Sequence, residues 1–99
     1  MPFKVGTAAG VKEQMQTLAD LASFAGFRQR YRDALTTMRR RLENDPLEWG
    51  DPLFRKPQVG GVVCRAVVDP IVIHYSVHES NKSVIIIRVD SLFEWPIRP

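Results

Sequence analysis

Residues 62–89 read VVCRAVVDPIVIHYSVHESNKSVIIIRV, and the period of this stretch decides the fold. Apolar side chains recur at every second position and β-branched residues dominate, which is the pattern of a pleated strand rather than a helix. Asp69-Pro70 supplies a tight turn, and Glu79 to Lys82 a polar one. The spacing therefore predicts three strands, Val62 to Val68, Ile71 to Val77 and Val84 to Val89, joined as an antiparallel meander. Asn81-Lys82-Ser83 matches a glycosylation acceptor sequence but falls in the second turn, where its residue types serve turn chemistry.

Alternation sorts these strands into two faces. One takes Val62, Cys64, Ala66 and Val68, then Ile71, Ile73, Tyr75 and Val77, then Ile85, Ile87 and Val89. It is almost wholly apolar and is expected to meet helices. The other takes Val63, Arg65 and Val67, then Val72, His74, Ser76 and His78, then Val84, Ile86, Arg88 and Asp90. Two readings of that mixed face stand: one side of an antiparallel sheet left in water, or a surface that a partner covers.

Upstream of this stretch the period changes. Phe3 to Gly6 is a short strand closing at Thr7, whose hydroxyl is expected to cap the helix that follows. Val11, Met15, Leu18, Leu21 and Ala22 recur at helical spacing between Ala8 and Ala25, and Gly26 ends the run. Phe27, Tyr31, Leu35, Met38 and Leu42 then form one stripe, with Ala34 at its edge, on a second helix that stops near Asn44 because Asp45-Pro46 disfavours its continuation. Residues 45–61, rich in proline and glycine, read as an irregular connection that Trp49 pins to the core. The tail from Asp90 to Pro99 carries Leu92, Phe93, Trp95 and Ile97 and is expected to pack along the sheet or meet a partner. The expected architecture is thus α+β: an N-terminal strand, an αα-hairpin and a three-stranded antiparallel meander, with the helices on one face of the sheet.

The chain has 99 residues, enough for one core, so a single domain over residues 1–99 is expected. Its 25% charged and 44% hydrophobic residues fit an ordinary globular chain and argue against disorder. The longest apolar run, Val84 to Ile87, is far short of the roughly 20 residues a spanning helix needs, and the N-terminus lacks a signal-peptide pattern. A lone cysteine, Cys64, forms no internal disulfide, which points to a cytoplasmic, reducing location. The formal charge of +3 is confined to one segment, because Arg28, Arg30, Arg32, Arg39, Arg40 and Arg41 face only Asp33, Glu43 and Asp45 while the rest of the chain cancels.

On the second helix Arg28, Arg32 and Arg39 project within roughly 40° of one another beside the apolar stripe. Such a stripe is either a solvated face or a contact for phosphates or acidic side chains, to which guanidinium groups are suited. On the sheet, His74 and His78 are separated by roughly 13 Å along one strand, which excludes a metal pair, and no other Cys or His supplies ligands on that face. The chain has no P-loop, no dinucleotide-binding glycine motif, no nucleophile elbow and no CxxC pair. Cys64 lies on the core-facing phase and reads as an inert buried thiol. No cofactor or metal is expected.

The segments Asp45-Pro46-Leu47-Glu48-Trp49-Gly50-Asp51-Pro52-Leu53, Gly60-Gly61-Val62-Val63-Cys64-Arg65, Ile71 to Glu79 and Val84 to Val89, following a strand and a helical hairpin, resemble the RelE/ParE toxin superfamily over nearly the whole chain. The resemblance implies a small basic toxin of a type II toxin–antitoxin system, held inactive by a cognate antitoxin. RelE-like members cut messenger RNA in the ribosomal A site without a metal, and ParE-like members inhibit DNA gyrase. Arg65 matches a basic position on the strand after the loop, and Tyr75 matches a strand tyrosine that is mainly structural. Val67 and Val72 stand where ribonuclease members carry further cations, and Asp90-Ser91-Leu92 replaces a basic pair after the last strand. The catalytic groups expected on this basis are Arg65, His74 and Arg88, a thin set for an endoribonuclease. Arg28, Arg32, Arg39 and His78 are the expected nucleic-acid or partner contacts, and a gyrase inhibitor or binding module is the alternative.

Overall fold

The alternating segment folds as three adjacent antiparallel strands, and two more strands extend them at the edges. The computed structural model describes residues 2–56 and 61–91. Its elements are β1 (Lys4–Thr7), α1 (Val11–Phe24), α2 (Arg28–Asn44), α3 (Pro46–Trp49), β2 (Asp51–Lys56), β3 (Gly61–Val68), β4 (Ile71–His78) and β5 (Ser83–Ser91). The sheet order is β1-β5-β4-β3-β2, with β1 parallel to β5 and the other neighbours antiparallel. The segment 92–99, expected to pack back or meet a partner, lies outside the described residues.

The helical hairpin forms where the spacing placed it, with different local chemistry at its start. Thr7 is the last residue of β1 and caps nothing; α1 begins after Gly10, at φ 85°, with no side-chain cap. Its end follows the expected glycine rule. Gly26 adopts φ 83° and the Phe27 amide donates to the Ala22 carbonyl at 2.7 Å, a left-handed reversal that closes the last turn. α2 starts directly afterwards and runs to Asn44, and Pro46 opens α3 at a first-turn position where its missing N–H costs nothing.

Tyr31, Ala34, Met38 and Leu42 of α2 join Val11, Leu18 and Ala22 of α1 against Val62, Cys64, Ala66, Ile71, Ile73, Tyr75, Val77, Val84, Ile86 and Val89 of the sheet. Burying each large aliphatic side chain in this set contributes about 1.5–3 kcal/mol. All helical core residues come from the expected stripes, with Phe27 and Leu35 packed at the margin.

One assignment is reversed. Val84 and Ile86 were expected on the mixed face, but they are fully or almost fully buried in the core, and Ile85 and Ile87 are the exposed pair. The cause is a bulge: Tyr75 pairs with Ile86 and His74 with Arg88, so Ile87 is an extra residue in β5. Strict alternation cannot hold across it. Val89 returns to the core on the far side.

The connection read as irregular is also more ordered than its composition suggested, since residues 46–49 form a helical turn and residues 51–56 a strand on β3. Trp49 pins it as expected, stacking on Tyr75 with ring centroids 5.9 Å apart. The Tyr75 hydroxyl donates to the Pro46 carbonyl at 2.6 Å, and burial pushes its phenol well above the usual range. Gly50 fits only as glycine, because a Cβ there would lie 2.5 Å from Tyr75 Oη and 2.9 Å from the Arg65 carbonyl oxygen. This cluster fixes where β2 begins.

Candidate functional site

Four strands contribute to a row across the sheet face turned away from the helices. Asp51 pairs with Arg65, Arg65 with His74, and His74 with Arg88. Residues directly opposite one another across a ladder present their side chains on the same face. The three residues expected to carry chemistry are therefore brought together, and neighbouring strands about 4.8 Å apart put the Arg65 and Arg88 backbones about 10 Å from each other with His74 between them. The bulge at Ile87 makes this possible. With Ile86 facing the core, plain alternation would also turn Arg88 inward, and the extra residue returns it to the outer face.

Arg65 and Arg88 are exposed, whereas His74 is half-buried. Arg88 Nε pairs with Asp90 Oδ2 at 2.7 Å across one flank of the row. His74 Nδ1 is buried and has no hydrogen-bond partner among the described residues. Guanidinium groups on either side of an imidazole can hold a phosphate and stabilise charge developing on it, while the ring accepts or donates a proton. The adjacent row, Phe54, Val63, Ser76 and Ile85, is uncharged. Beyond it His78 Nε2 lies 3.0 Å from Ser76 Oγ, so this ring is engaged locally and sits two rows from Arg65.

Tyr75 faces the core beneath the row and acts through packing. Cys64, next to it in register, is fully buried, and its thiol is pushed up chiefly by that burial. Neither group is available as a nucleophile.

The arginines of α2 lie on the other side of the sheet, because α2 packs against the inner face. Arg28 and Arg32 are exposed and make no ion pair among the described residues, while Arg39 Nε approaches Glu43 Oε2 at 3.7 Å. Arg30 pairs with Asp69 in the β3–β4 turn and rests 5.0 Å from the centre of the Phe27 ring. The stripe and the sheet row are thus two separate surfaces.

Two features escaped sequence reasoning. Phe54 is on the outer face because β2 has its own irregularity: Pro52 pairs with Cys64 and Phe54 with Val63, leaving Leu53 unpaired. A groove of about 890 Å³ also opens between β1 and the helices, lined by Phe3, Val5, Met15, Leu35, Met38 and Ile86. Its existence depends on β1 pairing in parallel with β5, a long-range contact that no local pattern encodes. Among the described residues no helix is long and apolar enough to cross a membrane.

The chain matches no protein-family model and no curated protein sequence. Its backbone is similar to solved structures. A chain of the archaeal RelE-RelB complex from Pyrococcus horikoshii OT3 superposes with a TM-score of 0.69 at 20% identity, covering 93% of this chain and 97% of that one. A chain of the toxin-antitoxin complex RelBE2 from Mycobacterium tuberculosis superposes with a TM-score of 0.63 at 20% identity, covering 92% of each. The fold is therefore RelE-like, in agreement with the resemblance carried by the sequence.

Proposed function

We propose that this RelE-like chain is the toxin half of a type II toxin–antitoxin pair, neutralised by a cognate antitoxin, and that its target contact is the outer sheet face. The observation that carries this reading is the alignment of Arg65, His74 and Arg88 in one row on the outer face of that fold, with both guanidinium groups exposed and the imidazole half-buried between them. Fold similarity alone does not assign a function. The row adds the chemistry: two guanidinium groups for a phosphate and one imidazole for proton transfer, the minimum for metal-independent cleavage of RNA by its own 2′-hydroxyl. Val67 and Val72 stand beside the row, one exposed and one buried, in place of further cations. Cleavage is accordingly expected to be slow and to depend on the ribosome for substrate positioning.

A second reading rests on α2. Arg28 and Arg32, unpaired among the described residues and on the opposite side of the sheet, offer a separate contact for an acidic partner such as gyrase or the antitoxin. Conditional expression with and without the neighbouring gene separates the readings. Growth arrest relieved by Arg65→Ala supports the sheet row, and arrest relieved only by Arg28→Ala with Arg32→Ala supports the helix.

A further inference from the structure

We propose that Asp90 is a built-in competitor of the phosphate at the Arg65–His74–Arg88 row: its carboxylate holds Arg88 out of the row, and the target engages Arg88 only by displacing it. The inference rests on the row being a nucleic-acid contact and adds the group that regulates that contact.

Asp90 is the next outward residue of β5 after Arg88. It stands opposite Val72 of β4, and Val72 in turn stands opposite Val67 of β3. The row beside Arg65, His74 and Arg88 therefore holds Val67, Val72 and Asp90, about 6.6 Å further along the strands. Arg88 Nε meets Asp90 Oδ2 at 2.7 Å, a charge-assisted hydrogen bond. The Arg88 guanidinium is thus tethered to the valine row instead of standing free beside His74.

The two arginines of the site are unequal. Arg65 makes no ion pair among the described residues, although Asp51 stands opposite it, whereas Arg88 is paired. A guanidinium holds a phosphate best when two neighbouring N–H groups meet two of its oxygens. Nε is one member of the side-on fork, and Asp90 occupies it. A phosphate on the other fork, Nη1 and Nη2, lies close to the Asp90 carboxylate, and the two negative charges repel.

The tether is weak enough to be exchanged. The Arg88 and Asp90 side chains are 62% and 39% exposed, and an exposed pair favours its closed state by no more than about fivefold. A phosphodiester already held at Arg65 can therefore displace the carboxylate. Asp51, Arg65, Arg88 and Asp90 also set two carboxylates against two guanidinium groups, so the free face has no net attraction for a polyanion. Only a strand positioned by further contacts opens the Arg88–Asp90 pair.

The test uses the full chain and fluorescein-labelled octauridylate, with fluorescence anisotropy at several salt concentrations and urea unfolding to confirm that each variant folds. Asp90→Asn is expected to bind roughly fivefold more tightly than the wild type, with a salt slope steeper by about 0.7, the signature of one more phosphate contact. Asp90→Glu keeps the carboxylate and stays within about twofold of the wild type. Arg88→Gln costs more affinity in the Asp90→Asn background than in the wild type, because only there is Arg88 free to bind. Arg65→Gln weakens binding in both backgrounds. Asp90→Asn binding no more tightly than the wild type, while Arg65→Gln still weakens binding, overturns the competitor and leaves the reading of the row intact. A gain in Asp90→Asn that survives the addition of Arg88→Gln makes Asp90 a general repulsive charge and also overturns the proposal. Absence of RNA binding by wild type and Asp90→Asn alike overturns the row and the competitor with it.

Discussion

Arg88 of β5 stands opposite His74 of β4, whereas Ile86, two positions earlier, stands opposite Tyr75, the very next residue of β4. That single extra residue lets β5 bury Val84 and Ile86 and still deliver Arg88 to the outer face. Bulges of this kind re-aim side chains where a site needs them.

The bulge makes the neighbouring isoleucines unequal. Ile86 is 2% exposed and Ile87 is 37% exposed. Ile86→Ala is expected to cost about 2–5 kcal/mol, whereas Ile87→Ala should cost about 0.5 kcal/mol. Urea unfolding of the two variants checks this. Uninterrupted alternation predicts the opposite ranking.

The contact between α3 and β4 predicts two further losses. Tyr75→Phe leaves the Pro46 carbonyl unsatisfied in the core and should cost about 1–3 kcal/mol. Gly50→Ala forces a methyl against Tyr75 Oη and the Arg65 carbonyl, at a cost of about 1–3 kcal/mol. Because Tyr75→Phe enlarges the space that Gly50→Ala needs, the double variant should lose less than the two single losses combined.

Stability should also fall at alkaline pH. Burial raises the Tyr31 phenol to about 12, and its hydroxyl donates to the Met15 carbonyl at 2.8 Å. Above pH 10 the unfolded chain loses this proton while the folded chain keeps it, so the unfolded state is favoured progressively from about pH 10 to about pH 12. Tyr75, raised in the same direction, adds to the loss. Thermal unfolding from pH 8 upward should show a plateau and then a decline, shallower in Tyr31→Phe than in the wild type.

Much of this was legible in the sequence because local periodicity encodes burial. Leu42, Met38, Ala34 and Tyr31 declared the inner face of α2, and Val62 through Val77 declared both faces of β3 and β4. The outward positions of Arg65 and His74 were legible for the same reason, whereas Arg88 keeps its outward position only through the bulge. The phase of β5 was not, since Val84 to Ile87 is a run of four β-branched residues in which either parity looks apolar, and only pairing with Tyr75 and Val77 selects one. Strand β2 was hidden by Pro52, which an edge strand tolerates but a central strand does not. Its outward Phe54 was hidden with it.

The central claim is that the outer row contacts the target. Conditional expression of the wild type without the neighbouring gene, beside Arg65→Ala and His74→Ala, followed by growth curves and RNA sequencing, addresses it most directly. The predicted result is growth arrest and ribosome-dependent cleavage by the wild type, both relieved in either variant while circular dichroism shows the fold retained. Full toxicity and unchanged RNA profiles in both folded variants would contradict the claim.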